Sequence, residues 1–152
     1  MMEGVAPPIA AMMDGMQKRF ETEHPLFGRL DFRTQRIARG DIAVSLRVPD
    51  TFAGEDGIHS GFFTIVLDSI FGMATFLTLD TPQPIATINL KTDTFARAQP
   101  GERVACEARC EGIADDVAII RGRAAREAGG ALIATAAATF MVGTRSAQVS
   151  RL

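Results

Sequence analysis

Apolar residues run almost unbroken through positions 59–79, HSGFFTIVLDSIFGMATFLTL. That is longer than any ordinary strand and predicts a helix. At about 1.5 Å per residue it extends about 30 Å, the width of a small domain. In helical projection Thr64, Asp68, Gly72, Thr75 and Thr78 fall in one narrow arc. Phe62, Phe63, Ile65, Val66, Leu67, Ile70, Phe71, Met73, Phe76 and Leu77 take up the remaining surface. A helix apolar on nearly all sides belongs in a protein core or a membrane. Asp68, Gly72 and the hydroxyls weigh against a membrane span, as do the alternating segments that follow.

Before this helix, Ile9, Met12, Met13, Met16 and Phe20 recur at helical spacing and predict an amphipathic helix that Pro25 and Gly28 end. Ile42, Val44, Leu46 and Val48 alternate as in a half-buried strand, and Gly40-Asp41 suggests a turn from an earlier strand near 32–39. Residues 49–57 read as a loop. Beyond the helix, Thr81-Pro82-Gln83-Pro84 forces a break, and four strands are predicted over 85–95, 103–111, 117–127 and 131–142. In the first of them Ile88 and Leu90 are expected on one face, against Asn89 and Lys91 on the other. The segment 131–142 is apolar on both faces, as an interior strand is. Short turns at Pro100-Gly101, Asp115-Asp116 and Gly129-Gly130 make these strands antiparallel. One antiparallel sheet curling around one apolar helix is the expected α+β arrangement.

A chain of 152 residues suits one domain with a full core. The net charge of −2, with basic residues in no run, offers no footprint for nucleic acid. The start shows no basic region followed by an apolar one, so no secretory signal is expected. Cys106 and Cys110 would lie about 13 Å apart along a strand, too far for a disulfide between them. With only His24 and His59 and no clustered ligands, no metal is expected. These features suggest a reduced, cytoplasmic protein.

Asp68 is where chemistry is expected, because a carboxylate amid apolar residues is costly unless it is paired or has a task. Thr64 and Gly72, four positions away on either side, leave room for a substrate. The residues alone also allow a structural Asp68 hydrogen-bonded to Thr64 or a nearby amide, and a Ser60 that only caps the helix. The predicted helix start presents N–H groups of Ser60, Gly61 and Phe62 at the positive end of the dipole, where negative charge on a carbonyl oxygen is stabilised.

His59-Ser60-Gly61, Asp68 nine positions after the histidine, and the strand and Pro-Gly turn of residues 87–101 (TINLKTDTFARAQPG) resemble the hotdog-fold acyl-CoA thioesterases of the phenylacetyl-CoA type. The resemblance runs over about residues 42–142. It implies a hotdog domain at 29–144, with a curved antiparallel sheet wrapped around one long central helix. An N-terminal helix and linker at 1–28 would precede it and a tail at 145–152 would follow. It further implies that Asp68 acts as base or nucleophile, that the Ser60 backbone N–H polarises the thioester carbonyl with His59 and Gly61 in the same turn, and that Thr87 supplies an assisting hydroxyl. Two positions depart from the family pattern. Ala53 stands where an asparagine is frequent, and Ser60 replaces the first glycine of the turn.

The substrate would be an acyl-CoA, with no metal or redox cofactor and no nucleic acid or membrane partner. Phe62, Phe63, Phe71 and Phe95 are candidates to wall an aryl or medium aliphatic pocket, or to fill the core. Arg97, Arg121, Arg123 and Arg145 are candidates for the CoA phosphates. Eight residues of helix separate Ser60 from Asp68 by about 12 Å, too far for both to reach one carbonyl. The site would therefore join two chains across a two-fold axis, and the resemblance implies a homodimer, commonly paired into a homotetramer. Two other readings stand beside this one: a hotdog hydratase or dehydratase, which needs a second acid–base group, and a non-catalytic acyl-CoA-binding module.

Overall fold

A computed structural model describes residues 2–144. The expected tail and Arg145 lie outside the described residues. The chain opens with α1 (Pro7–Thr22), started by a proline pair whose fixed φ suits a first turn. Ile9 and Met13 of α1 are buried, with Met12, Met16 and Phe20 partly buried along the same stripe. A single 3-10 turn (Phe27–Arg29) leads to the hairpin of β1 (Arg33–Ala38) and β2 (Asp41–Arg47). Residues 49–57, expected as a loop, contain a two-residue β3 (Ala53–Gly54), which pairs with β4 (Gly57–Ile58). Then come the long helix α2 (Gly61–Thr78), β5 (Ile85–Thr94), β6 (Arg103–Ala114), β7 (Val117–Arg126) and β8 (Leu132–Val142).

Six strands form one sheet in the order β1-β2-β6-β7-β8-β5, and every neighbouring pair is antiparallel. The Asp115-Asp116 turn carries positive φ at both positions, the twist that two-residue hairpins require, and Gly129 and Gly130 take positive φ within the longer connection between β7 and β8. The strand β8 is interior, as its two apolar faces suggested. The helix α2 carries the chain from β2 to β5 at the opposite edge.

Ten of the 18 residues of α2 are buried, among them Phe62, Phe63, Leu67, Ile70 and Phe71. The helix is long and apolar enough to cross a membrane by composition, yet here it fills the concave side of the sheet. Small residues on the inner face, Ala108, Ala118, Ala124 and Ala134, let it approach closely. At Gly122 an added Cβ would run into the Glu107 carbonyl and the Phe71 ring.

The expectation of a helix apolar and enclosed on nearly all sides is corrected in one respect. Gly61, Thr64, Ile65, Asp68, Ser69, Gly72 and Phe76 form a less buried stripe at helical spacing, and Ile65 is 42% exposed. Thr75, expected on the polar arc, is instead fully buried and bonds the Phe71 carbonyl.

The faces of β5 also differ from expectation. A bulge between Thr87 and Asn89 makes Ile88 an extra residue, 52% exposed. Thr87 is opposite Phe140 and Leu90 opposite Ala138, both buried, so Thr87 and Leu90 face α2 and Ile88 does not. Simple alternation from Leu90 would have turned Ile88 inward and Thr87 out.

Candidate active site

Asp68 sits half-buried in the middle of the open stripe of α2. Its Oδ1 accepts a hydrogen bond from the Thr87 hydroxyl at 2.9 Å. The structural alternative had named Thr64 as partner, but the Thr64 hydroxyl donates to Thr92 Oγ1 at 3.4 Å. Two hydroxyl contacts thus tie α2 to β5 one turn apart, and the Ile88 bulge is what turns Thr87 toward the carboxylate.

The start of α2 is held from behind. His59 N–H donates to the Phe52 carbonyl at 2.9 Å, fixing the turn to the β3–β4 hairpin. Nδ1 of His59 accepts the Gly61 N–H at 3.0 Å, so the neutral ring carries its proton at Nε2. Phe62 N–H donates to the His59 carbonyl at 3.1 Å, and Phe63 N–H to the Ser60 carbonyl at 3.0 Å. Of the three N–H groups expected to be free, those of Gly61 and Phe62 are therefore engaged. Ser60 N–H has no acceptor among the described residues. Ser60 has φ −58° and ψ −28°, comfortable for any residue, and its side chain makes no capping bond.

The segment after β5 closes on this turn. Ile58 N–H donates to the Ala98 carbonyl at 2.8 Å, which brings Phe95 and Arg97 beside Ser60. Ser60, Thr94, Phe95, Ala96 and Arg97 line an open groove of about 460 Å³. Phe95 is 64% exposed there. The Arg97 carbonyl is held by Arg126 Nη2 at 2.9 Å, and Arg126 Nε by Glu102 at 3.0 Å. Glu102 is held below the usual carboxylate range, first by the Gln99 N–H and then by Arg126, against an opposing effect of desolvation. The Arg97 guanidinium makes no ion pair among the described residues, so it is available to a ligand.

Other candidates fall elsewhere. Phe62, expected against substrate, is fully buried, with its ring 5.6 Å from that of Phe52 and 5.2 Å from that of Phe63. Its ring belongs to the hydrophobic core. Phe63 and Phe71 are core as well. Arg121 and Arg123 pair with Glu111 at 3.1 Å and Glu107 at 3.2 Å on the sheet face away from α2, remote from the groove. Sequence reasoning missed Thr92 and Thr94; their signal was the recurrence of threonine along TINLKTDT. No group of three or more metal-binding side chains occurs among the described residues.

No protein-family model matches the chain, and no curated protein does. Solved structures do. The PaaI protein of the Escherichia coli phenylacetic acid degradation operon superposes with a TM-score of 0.77 at 11% identity, over 94% of this chain and all of that one (100%). A phenylacetic acid degradation-related protein from Ralstonia eutropha JMP134, described as a thioesterase, gives 0.73 at 25% identity over 89% and 99%. A hypothetical thioesterase protein from Streptococcus pneumoniae TIGR4, solved with coenzyme A, gives 0.67 at 14% identity over 76% and 88%. The chain has the hotdog fold of these thioesterases. In hotdog terms α2 is the central helix, β1 and β5 are the two sheet edges, and the resemblance seen in the sequence holds in three dimensions. Asp68 and Ser60 both lie along the exposed flank where the central helix meets the β5 edge.

Proposed function

We propose that the protein is an acyl-CoA thioesterase that hydrolyses a small or medium acyl-CoA to the free acid and CoA. The observation that carries this reading is the Asp68 carboxylate, oriented by Thr87 and open to solvent on the same flank as the unengaged Ser60 N–H. Hydrolysis adds water to the thioester carbon and expels the CoA thiolate. The Ser60 N–H, at the positive end of α2, stabilises the oxygen as it gains charge. Asp68 either removes a proton from the attacking water or attacks the carbon itself. In either case the Thr87 hydroxyl holds the carboxylate in one orientation. Arg97, at the groove mouth, suits a CoA phosphate.

The two groups are about 12 Å apart along one helix, so the reading requires two copies of the chain. The fold favours one edge for their union. At β1 a bridge from Glu3 to Ala38 and the Arg39 N–H to Glu3 carbonyl bond of 2.9 Å partly cover the edge. The ten residues of β5 pair on one side only, and Ile65, Ile88 and Phe95 leave apolar surface beside them. A two-fold axis along the β5 edge would set Ser60 of one copy against Asp68 of the other. Pairing of such dimers into a tetramer, a cytoplasmic location and independence from cofactors belong to the same proposal.

A hydratase needs a second acid–base group near the carboxylate. The Nδ1 of His59 is already committed to Gly61, which disfavours that reading. Thiol release from a panel of aryl and aliphatic acyl-CoAs tests the proposal, with Asp68→Asn as control. Release by the wild type and loss of nearly all of it in the folded variant are expected. A wild type that releases no thiol, or an Asp68→Asn protein that keeps its rate, would contradict it.

A further inference from the structure

We infer that the Ser60 hydroxyl is a second donor to the thioester oxygen, so that one residue contributes both hydrogen bonds of the oxyanion site; this rests on the thioesterase reading above. A serine at a helix N-cap ordinarily spends its side chain on the N–H groups of the first turn. Here those groups are already satisfied. Gly61 N–H bonds His59 Nδ1, Phe62 N–H bonds the His59 carbonyl, and Phe63 N–H bonds the Ser60 carbonyl. His59 has taken over the capping task, and the Ser60 hydroxyl makes no hydrogen bond among the described residues.

The hydroxyl's surroundings direct what it does. The groove lined by Ser60, Thr94, Phe95, Ala96 and Arg97 contains no carboxylate. Its polar side chains are two hydroxyls and a guanidinium without an ion pair, a set suited to oxygen that carries negative charge. Ser60 N–H and Oγ belong to one residue in an unstrained helical conformation, so they stay neighbours as the charge develops. Ala53, in the short hairpin before the turn, has no side-chain donor to offer, and a single backbone N–H would otherwise act alone.

Ser60→Ala, Ser60→Gly and Ser60→Thr, made in the full chain, test this with the acyl-CoA that the wild type hydrolyses best. Ser60 is exposed, and the folding of each variant is checked by circular dichroism. The alanine and glycine variants should lose about 10²-fold in kcat with KM nearly unchanged, and the threonine variant should recover most of the rate. A trifluoromethyl ketone analogue of the acyl-CoA, whose hydrate places an oxygen where the oxyanion forms, should bind Ser60→Ala weaker by a similar factor. CoA itself should bind it as it binds the wild type. Full kcat in Ser60→Ala and Ser60→Gly overturns the inference and, with Asp68→Asn inactive, leaves the thioesterase reading standing. A loss of CoA affinity that matches the loss of kcat also overturns it, because the hydroxyl would then serve ground-state binding. A wild type inactive on every acyl-CoA overturns both.

Discussion

The Thr87 hydroxyl donates to Asp68 Oδ1 at 2.9 Å, across the gap between the edge strand and the central helix. The contact exists because the chain inserts Ile88 as a bulge residue and so keeps Thr87 on the helix side of β5. One carboxylate oxygen is thereby fixed, and the other is left for water or substrate.

Thr87→Val removes that donor while keeping the side-chain shape. Activity on acyl-CoA should fall about 10-fold, chiefly in kcat, because the misoriented carboxylate still binds substrate but attacks poorly. Thr87→Ser should restore most of it. Steady-state kinetics on the two variants check this, and equal kcat in Thr87→Val and wild type would remove Thr87 from the mechanism.

The fold was legible in the sequence because its largest signals were long. The apolar run at 59–79 and the turn pairs at Asp115-Asp116 and Gly129-Gly130 dictated α2 and the hairpins directly. Residue type and order singled out Asp68, Ser60 and Thr87 as candidates, and the structure brings Asp68 and Thr87 into contact. The facing of β5 was not, since periodicity assumes strict alternation and one bulge at Ile88 reverses it. The full burial of Phe62 was not legible, because a helix apolar on most sides does not reveal which of its aromatics is wholly enclosed. The engagement of the Gly61 N–H by His59 depends on a side-chain rotamer that spacing does not encode.

Ile65 lies on the open stripe, 42% exposed, one turn from Asp68. Ile65→Asp should leave the single chain folded but replace apolar contact with like charges facing across the two-fold axis. Light scattering should show a shift from dimer or tetramer to monomer, accompanied by loss of activity. An intact oligomer would place the interface elsewhere.

Gly122 has no room for a side chain, since the Glu107 carbonyl and the Phe71 ring occupy the space. Gly122→Ala should destabilise the fold by about 1–3 kcal/mol, the usual cost of overpacking. Denaturant unfolding measures it; an unchanged midpoint would mean that α2 does not rest this closely on β7.

Cys106 is fully buried, and that burial, with the Glu107 charge beside it, pushes its thiol from 9.0 up to about 12. Below about pH 9 both folded and unfolded states keep the proton, and stability is unaffected. Between about 9 and 12 the unfolded chain releases it first, so stability falls as pH rises, by up to about 1.4 kcal/mol per unit. Urea midpoints measured from pH 8 to 10.5 should drop more steeply in the wild type than in Cys106→Ala. Parallel slopes would contradict the burial of this thiol.

The claim that one active site is built from two chains is tested most directly by subunit exchange. Asp68→Asn removes the carboxylate, and Ser60→Pro removes both the N–H and the hydroxyl at a residue whose φ of −58° already suits proline. Each homo-oligomer should be inactive. After exchange in equal amounts, half the dimers are mixed and each holds one intact site, so thiol release should recover to about a quarter of the wild-type rate. Exchange verified by mass spectrometry with no recovered activity would contradict the shared site.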